Sequence, residues 1–311
     1  MKKIKISFLI PAHNEEKIIG KALSNLSEIQ YANYEVLIGL DGCTDKTEET
    51  VKKFSVKNKK FKYFTLNSRK GKPEIIDFLV KKASGEIIII NDADWLFAAT
   101  NKESMNEFIS VFNNKKVGGI AESFPVEWDN KKFKMGNFTY KMVAYSSYFW
   151  LNYQKDKLAV KYKDYLEVKN PKMFMTNIFR KELYQKSLSL GDDFERSLNI
   201  YNKGYKIIIF PQENIPRMIA SYDNIKFKDF FKQKIRTAIA RRQLENSKKL
   251  NLGLKDYYLS CVYYIFVNSW KKNFYIGILI SCWIFLTALA TLFSKFRSLN
   301  TKQGWLLRAT R

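Results

Sequence analysis

The feature that most constrains this chain is an alternation that begins almost at its first residue. Short apolar runs at Ile6–Ile10, Val36–Leu40, Phe61–Leu66, Ile87–Ile90 and Val117–Ile120 are rich in Ile, Val and Phe. Runs of that kind suit strands covered on both faces. Between them lie segments with apolar residues three and four apart: Glu15–Leu26, Thr47–Phe54, Pro73–Lys82 and Ser104–Phe112. Pro73 falls near a helix start, where its missing N–H costs nothing. Strand–helix alternation predicts an α/β fold built on a doubly wound, mostly parallel sheet, with ligands outside the carboxyl ends of the strands.

Composition removes several alternatives. The chain has 311 residues, 46% of them hydrophobic and 15% aromatic, too apolar for a disordered protein. Three cysteines (Cys43, Cys261, Cys282) lie far apart without CxxC spacing, which excludes a disulfide scaffold and a cysteine-rich zinc site. A single histidine, His13, excludes mechanisms needing a histidine pair. The formal charge of +24 invites a polyanionic partner. The lysines are scattered in short groups such as Lys57, Lys59 and Lys60, and no nucleic-acid signature accompanies them, so no nucleic-acid partner is expected. Lys2, Lys3 and Lys5 resemble a leader's basic start, but Pro11 interrupts the apolar run behind them. That run reads as a strand rather than a signal peptide.

Beyond about residue 125 the pattern turns irregular and aromatic over Phe133–Trp150, then helical, with one more strand candidate at Tyr205–Phe210. Ile225–Leu250 reads as a basic amphipathic helix with Phe227, Phe230, Phe231, Ile235, Ala238 and Ile239 on one side. Phe274–Phe293 carries no charge over twenty residues. At 1.5 Å per residue it reaches about 30 Å, the thickness of a bilayer core. It is expected to span a membrane, the alternative being a buried core helix. Tyr257–Trp270 is apolar but shorter, suited to an interfacial, re-entrant or hairpin partner. Lys271 and Lys272 precede the span; Lys295, Arg297, Lys302, Arg308 and Arg311 follow it, placing the tail in the cytoplasm. Trp270, Tyr275 and Trp305 are candidate interface anchors. The expected organisation is a catalytic domain over 1–224, an interface helix over 225–250, and a membrane-associated region over 251–311.

Chemistry concentrates at two strand exits. Asp92 and Asp94, spaced i, i+2 in Asn91-Asp92-Ala93-Asp94, can share one hard divalent cation, Mg²⁺ or Mn²⁺; turn formation alone is the plainer reading. Asp41 opens Asp41-Gly42-Cys43-Thr44-Asp45, from where its carboxylate can accept the N3–H of a uracil ring. Thr44 or Asp45 is expected to cap the next helix.

Ile10-Pro11-Ala12-His13-Asn14-Glu15-Glu16, Asp41-Gly42-Cys43-Thr44-Asp45, Gly71-Lys72, Asp92-Ala93-Asp94 and Gly191-Asp192-Asp193 follow one another as in family 2 glycosyltransferases. The resemblance covers about residues 4–215. It implies a glycosyltransferase-A fold that binds a nucleotide-sugar, UDP-linked rather than GDP-linked, and inverts the anomeric centre. It further implies that Pro11, Ala12 and Glu15 line the nucleotide, Asp41 contacts the base, Lys72 lies near the nucleotide, and Asp92 and Asp94 hold the metal, Asp94 more directly. Asp193 resembles the general base and Asp192 its acidic neighbour, although helix capping would also account for an Asp pair there. Gln233-Lys234-Ile235-Arg236-Thr237 is similar to the Gln-x-x-Arg-Trp of membrane synthases such as hyaluronan and cellulose synthases, with Thr in place of Trp. Gln233 and Arg236 are accordingly candidates for the diphosphate or the acceptor. Met173–Arg180 resembles an acceptor-side segment.

The function these readings predict is metal-dependent transfer of a sugar to a lipid or membrane-proximal glycan at the cytoplasmic face of a membrane. A nucleotidylyltransferase and a non-catalytic membrane or polyanion-binding scaffold are the alternatives. The first would want a Gly-rich loop that 11–15 lacks, and the second leaves the intact acids without a purpose.

Overall fold

A computed structural model of the chain describes residues 4–98, 101–122, 136–162, 164–210, 217–220, 224–246 and 254–299. Four parallel strands form its first half: β1 (Ile6–Ala12), β2 (Tyr34–Asp41), β3 (Phe61–Leu66) and β4 (Ile87–Ile90), in the order β3-β2-β1-β4. Every residue of β1, β2 and β4 is buried, which is why the sequence shows runs rather than alternation. Alternate residues sort to opposite faces. Phe8, Ile10, Val36 and Ile38 pack under α1 (Ile19–Ser27) and α2 (Thr47–Lys57), whereas Leu9, Leu37, Ile88 and Ile90 pack under α3 (Lys72–Lys82).

The chain then adds β5 (Trp95–Ala98), α4 (Lys102–Ser110), β6 (Val117–Ile120), α5 (Phe138–Leu158), β7 (Ala159–Lys161), β8 (Leu166–Val168), β9 (Ile178–Arg180), α6 (Asp192–Asn202), β10 (Lys206–Ile209) and β11 (Arg217–Ala220). The main sheet runs β3-β2-β1-β4-β9-β6-β10-β8-β7, and β5 pairs with β11 apart from it. This is the expected α/β architecture with a mostly parallel sheet. The departure that matters is β9, antiparallel to both β4 and β6. Because it enters the sheet reversed, the residues leading into it arrive at the carboxyl end of β4. Ile90 N donates to Asn177 O at 2.9 Å.

The aromatic stretch expected to be irregular is largely a 21-residue helix, α5. Asn137 caps it, its side chain accepting from Tyr140 N. The helix buries Tyr140, Met142, Phe149 and Tyr153 in different directions, so no single apolar stripe betrays it. Positions 133–135 lie outside the described residues.

Three helices complete the described chain: α7 (Phe227–Asn246), α8 (Leu254–Lys272) and α9 (Phe274–Ser294). The basic helix read over 225–250 is α7 as far as Asn246; 247–250 lie outside the described residues. Of the readings open for Tyr257–Trp270, the structure shows the helical hairpin. Asn273 alone separates α8 from α9, and its side chain accepts from Tyr275 N at 2.8 Å. The hairpin closes tightly over Gly277, where an added Cβ would lie 2.5 Å from the Trp270 ring. The apolar helix α9 has a mean hydropathy of 2.3 over its best window, of which 28% is buried. It packs on α5 and α7, with Leu279 beside Tyr140 and Phe230, and Phe293 edge-on to Phe231 at 5.9 Å. Lys302, Trp305, Arg308 and Arg311 lie outside the described residues.

Candidate active site

The floor of the site is the turn leaving β4. Asn91 is fully buried, and its Nδ2 donates to Asp92 O and Trp95 O, both at 3.0 Å, fixing the turn that carries Asp92 and Asp94. Facing it is the first turn of α3. There Lys72 Nζ lies 3.1 Å from Asp92 Oδ1 and 3.4 Å from Asp192 Oδ1, bridging the two acid pairs. Lys72 is aimed by the preceding loop. Asp41, completely buried, accepts from Lys70 N at 2.6 Å and Gly71 N at 2.8 Å, and Gly71 adopts a φ of 105° that favours glycine.

The second acid pair stands at the start of α6. Asp192 meets Arg196 one turn on (Nη2 to Oδ2, 3.0 Å). Arg196, 2% exposed, also donates to Thr176 O at 2.8 Å and Asn177 Oδ1 at 2.9 Å, and its guanidinium covers the Phe179 ring at 5.2 Å. A buried arginine so held fixes Asp192 between two cations. Glu195 shapes the loop before them, its Oε2 accepting from Leu188 N, Ser189 N and Ser189 Oγ. Asp193 Oδ1 accepts from Phe194 N at 2.9 Å. Neither aspartate acts as a side-chain N-cap; that position is Gly191.

Environment separates these neighbours. Burial pushes the Asp192 carboxyl up, but Lys72 and Arg196, with Arg236 behind them, overcome burial and hold it down to about 2. Asp193 is raised by burial and by the charge of Asp192, against the opposing pull of Lys72 and Arg196. Two adjacent carboxyls pushed in opposite directions suit a fixed anion beside a proton acceptor.

One cavity of about 740 Å³ receives Lys72, Asp92, Asp94, Asp192 and Asp193, and α7 closes it with Gln233 and Arg236. Seven of the residues singled out in the sequence therefore share one cleft. Arg236 reaches Leu190 O at 3.4 Å beside the Asp pair. Met173 and Met175 also line the cleft. Asp92 Oδ1 and Asp94 Oδ1 are buried, hard oxygen donors. Among the described residues no group of three His, Cys, Asp or Glu gathers for a metal. Two carboxylates fit Mg²⁺ or Mn²⁺, which takes one or two of them and completes its shell with phosphate oxygens and water.

Pro11, Ala12, Glu15 and Asp41 are not among the residues lining this cavity. They cluster beside it, at the carboxyl ends of β1 and β2. Ala12 pairs with Leu40, Glu15 N donates to Thr47 Oγ1 at 2.7 Å, and His13 Nδ1 lies 2.6 Å from Asp41 O. The N-cap position of α2 is Lys46, without a side-chain cap hydrogen bond, so neither Thr44 nor Asp45 caps it as expected; Asp45, one residue earlier, accepts from Thr47 N at 3.0 Å. The Cys43 thiol, pushed up to about 11 mainly by burial, is not activated. Arg196 belongs to none of the motifs, and Asn177 enters only as part of the Met173–Arg180 segment. The available signal was the i, i+4 spacing of Asp192 and Arg196 on one helix face.

Comparison with known proteins covers the strand-built part of this site. The family described as "Glycosyl transferase family 2" matches residues 7–181. A glycosyltransferase of Methanococcus voltae, named as a dolichyl N-acetyl-alpha-D-glucosaminyl phosphate 3-beta-D-2,3-diacetamido-2,3-dideoxy-beta-D-glucuronosyltransferase, is 27% identical over 76% of this chain and 72% of its own. Among solved structures, the mannosyltransferase PcManGT of Pyrobaculum calidifontis, in complex with GDP-Man and Mn²⁺, superposes with a TM-score of 0.58 at 17% identity, over 98% of this chain and 79% of its own. TarS 1–349 of S. aureus, in complex with UDP-GlcNAc, gives 0.50 at 17% identity over 76% of this chain and 66% of its own. At such identities the likeness is one of fold. Two further relatives, 35% and 25% identical, are spanned over only 21% and 49% of their own lengths.

Proposed function

The chain belongs to glycosyl transferase family 2, and on that premise we propose that its cleft transfers a sugar from a UDP-linked donor to a membrane-borne acceptor with inversion at the anomeric carbon. The observation that carries this reading is the meeting of Asp92, Asp94 and Asp193 in one cavity, with Lys72 between the acid pairs. Asp193 takes the proton of the acceptor hydroxyl. A base is most effective when its pKa lies near the working pH, and burial beside Asp192 moves Asp193 that way. Asp192 stays anionic and anchors Lys72 and Arg196.

Lys72 and Arg236 face the leaving diphosphate, where preorganised cations stabilise developing charge without reorganising. Asp92 and Asp94 hold the divalent cation, Mg²⁺ or Mn²⁺, which when bound neutralises the diphosphate. Because that group leaves without a proton, one carboxylate base is enough, and a single displacement inverts the carbon. Asp41 holds the 70–71 loop. A carboxylate offers about four lone-pair sites, so it keeps capacity for the base of the nucleotide. Pro11, Ala12 and Glu15 form the nucleotide side of the same edge.

The membrane reading is supported by α9, long and apolar enough to cross a bilayer, and by the basic residues that flank it. The hairpin returns the chain to the side of the catalytic domain, which we place in the cytoplasm. The basic face of α7 lies towards anionic headgroups. The acceptor is a lipid or a glycan near the membrane. Titrating purified protein with UDP and Mn²⁺ in a calorimeter tests the donor site. Wild type binds and Asp94→Ala loses the Mn²⁺-dependent affinity; unchanged affinity in the variant contradicts the reading.

A further inference from the structure

Lys72 is bound more completely than a cation kept only for a phosphate need be. Its Nζ lies 3.1 Å from Asp92 Oδ1, 3.2 Å from Asp92 Oδ2 and 3.4 Å from Asp192 Oδ1. An ammonium has three N–H donors and no acceptor, so three carboxylate oxygens saturate it. Only 14% of the side chain is exposed. The other oxygen of Asp192 is held by Arg196 at 3.0 Å, so Asp192 has one oxygen to offer where Asp92 offers two. Lys72 is therefore the counter-ion of Asp92 first and of Asp192 second.

Asp92 is also half of the pair that fits a divalent cation, with Asp94 buried in the same cavity. Both Asp92 oxygens meet the same ammonium, so whichever one a metal takes is one that Lys72 already holds. Mg²⁺ draws its oxygens in to about 2.0–2.1 Å, closer than the 3.1–3.2 Å at which the ammonium sits. Two cations on one carboxylate repel, and a cleft shielded from water strengthens the repulsion. One of them must give way. Lys72 is able to, since a lysine is a point charge on a flexible four-carbon stem. Arg196 is not, tied as it is to Thr176 O and Asn177 Oδ1. The diphosphate of a donor in this cavity offers the ammonium new oxygens for those it loses.

We infer that Lys72 is an exchangeable counter-cation, which yields Asp92 to the divalent cation and moves onto the donor diphosphate when the two arrive together. The inference rests on the proposed donor site and adds an order of events to it. A metal ion alone breaks the Lys72–Asp92 contacts and gives the ammonium no new anion, so it binds poorly. With the nucleotide present the ammonium is received, and metal and nucleotide strengthen each other's binding by the same factor. Departure of the diphosphate reverses the exchange. Lys72 then returns to Asp92 and expels the metal with the product.

The test uses the full chain in neutral detergent. Electron paramagnetic resonance counts free Mn²⁺ with and without UDP, and acetylation read by mass spectrometry follows each lysine. In wild type, Lys72 is expected to label more slowly than Lys53, whose side chain is 69% exposed. Saturating Mn²⁺ alone raises Lys72 labelling several-fold, and UDP added to the Mn²⁺ lowers it again. Lys72→Met removes the charge and keeps a long stem. It binds Mn²⁺ alone at least tenfold more tightly than wild type, and the strengthening by UDP shrinks at least tenfold. Mn²⁺ affinity unchanged or weakened in the variant, or Lys72 labelling indifferent to Mn²⁺, overturns the inference. If melting shows the variant unfolded, the wild-type labelling decides alone. A wild type that binds Mn²⁺ but not UDP overturns the donor reading instead, and the variant's affinity for Mn²⁺ alone still decides the exchange. Mn²⁺ bound by neither protein overturns both.

Discussion

At the strand-built side of the cleft, Asp41 gives both carboxylate oxygens to backbone N–H groups of 70–71, and Asn91 spends its amide on the turn after β4. At the helix-built side, Asp193 is pushed towards its neutral form, and Arg241 Nε and Trp283 Nε1 point at no hydrogen-bond acceptor among the described residues. The first region turns the Asp41 oxygens and the Asn91 Nδ2 onto its own backbone and gains rigidity, with Asn91 Oδ1 left without a hydrogen-bond partner among the described residues. The second leaves its polar groups open at a cost in stability, as sites that must meet a ligand do. The difference assigns substitutions at Asp41 and Asn91 mainly to stability and those at Asp193 mainly to chemistry.

The sharpest way to break that division is Asp193→Asn. Loss of a general base costs about 10²–10⁴ in kcat, with UDP affinity retained, as initial rates and calorimetry together will show. Stability should move the other way. A carboxyl raised in the folded state is favoured there when protonated, so its stabilising contribution fades as pH rises through the raised value. At pH 7 the neutral Asn removes that penalty, and Tm should rise. In wild type, kcat/KM should fall about tenfold per pH unit on the acid side of the Asp193 titration.

Arg196→Met strikes where the two regions join. It strips a buried carboxylate of its partner, an effect of about 3 kcal/mol readable by denaturant unfolding. Loss of that positive charge should also shift the acid limb of the rate profile to higher pH. Asp192, held near 2, stabilises the fold fully above its ordinary range and loses that contribution as pH falls towards 2. Asp41→Asn tests the strand side. One backbone N–H loses its acceptor, and a loss of about 1–3 kcal/mol in unfolding free energy is expected. Gly277→Ala is the mildest, about 1 kcal/mol from crowding Trp270, seen as a lowered Tm with UDP affinity untouched.

The same division explains what the sequence made legible. Runs such as Ile87–Ile90 announce buried strands because both faces are covered, and the strand ends then locate Asp41, Asp92 and Asp94 without further information. Their partners are local in the sheet register. Asp193 was found through its motif, but the group that sets its surroundings, Arg196, draws on Thr176 and Asn177, which only the reversed strand β9 brings near. Antiparallel insertion leaves no periodic mark. The part of α5 up to Trp150 reads as irregular for a related reason: apolar on several sides, it shows no stripe. The hairpin end of the cavity is less legible still, since Arg241 comes from α7 while Trp283 and Thr287, one turn apart, come from α9, with no shared motif.

The central claim is that one carboxylate base, Asp193, acts across a single cleft from the diphosphate-binding acids. It is tested most directly by the anomeric configuration of the transferred sugar, read by NMR on product formed from an α-linked nucleotide-sugar. A β-linked product is predicted, because one base and one displacement invert the carbon. An α-linked product would contradict the account, since retention demands a second step that this arrangement does not provide.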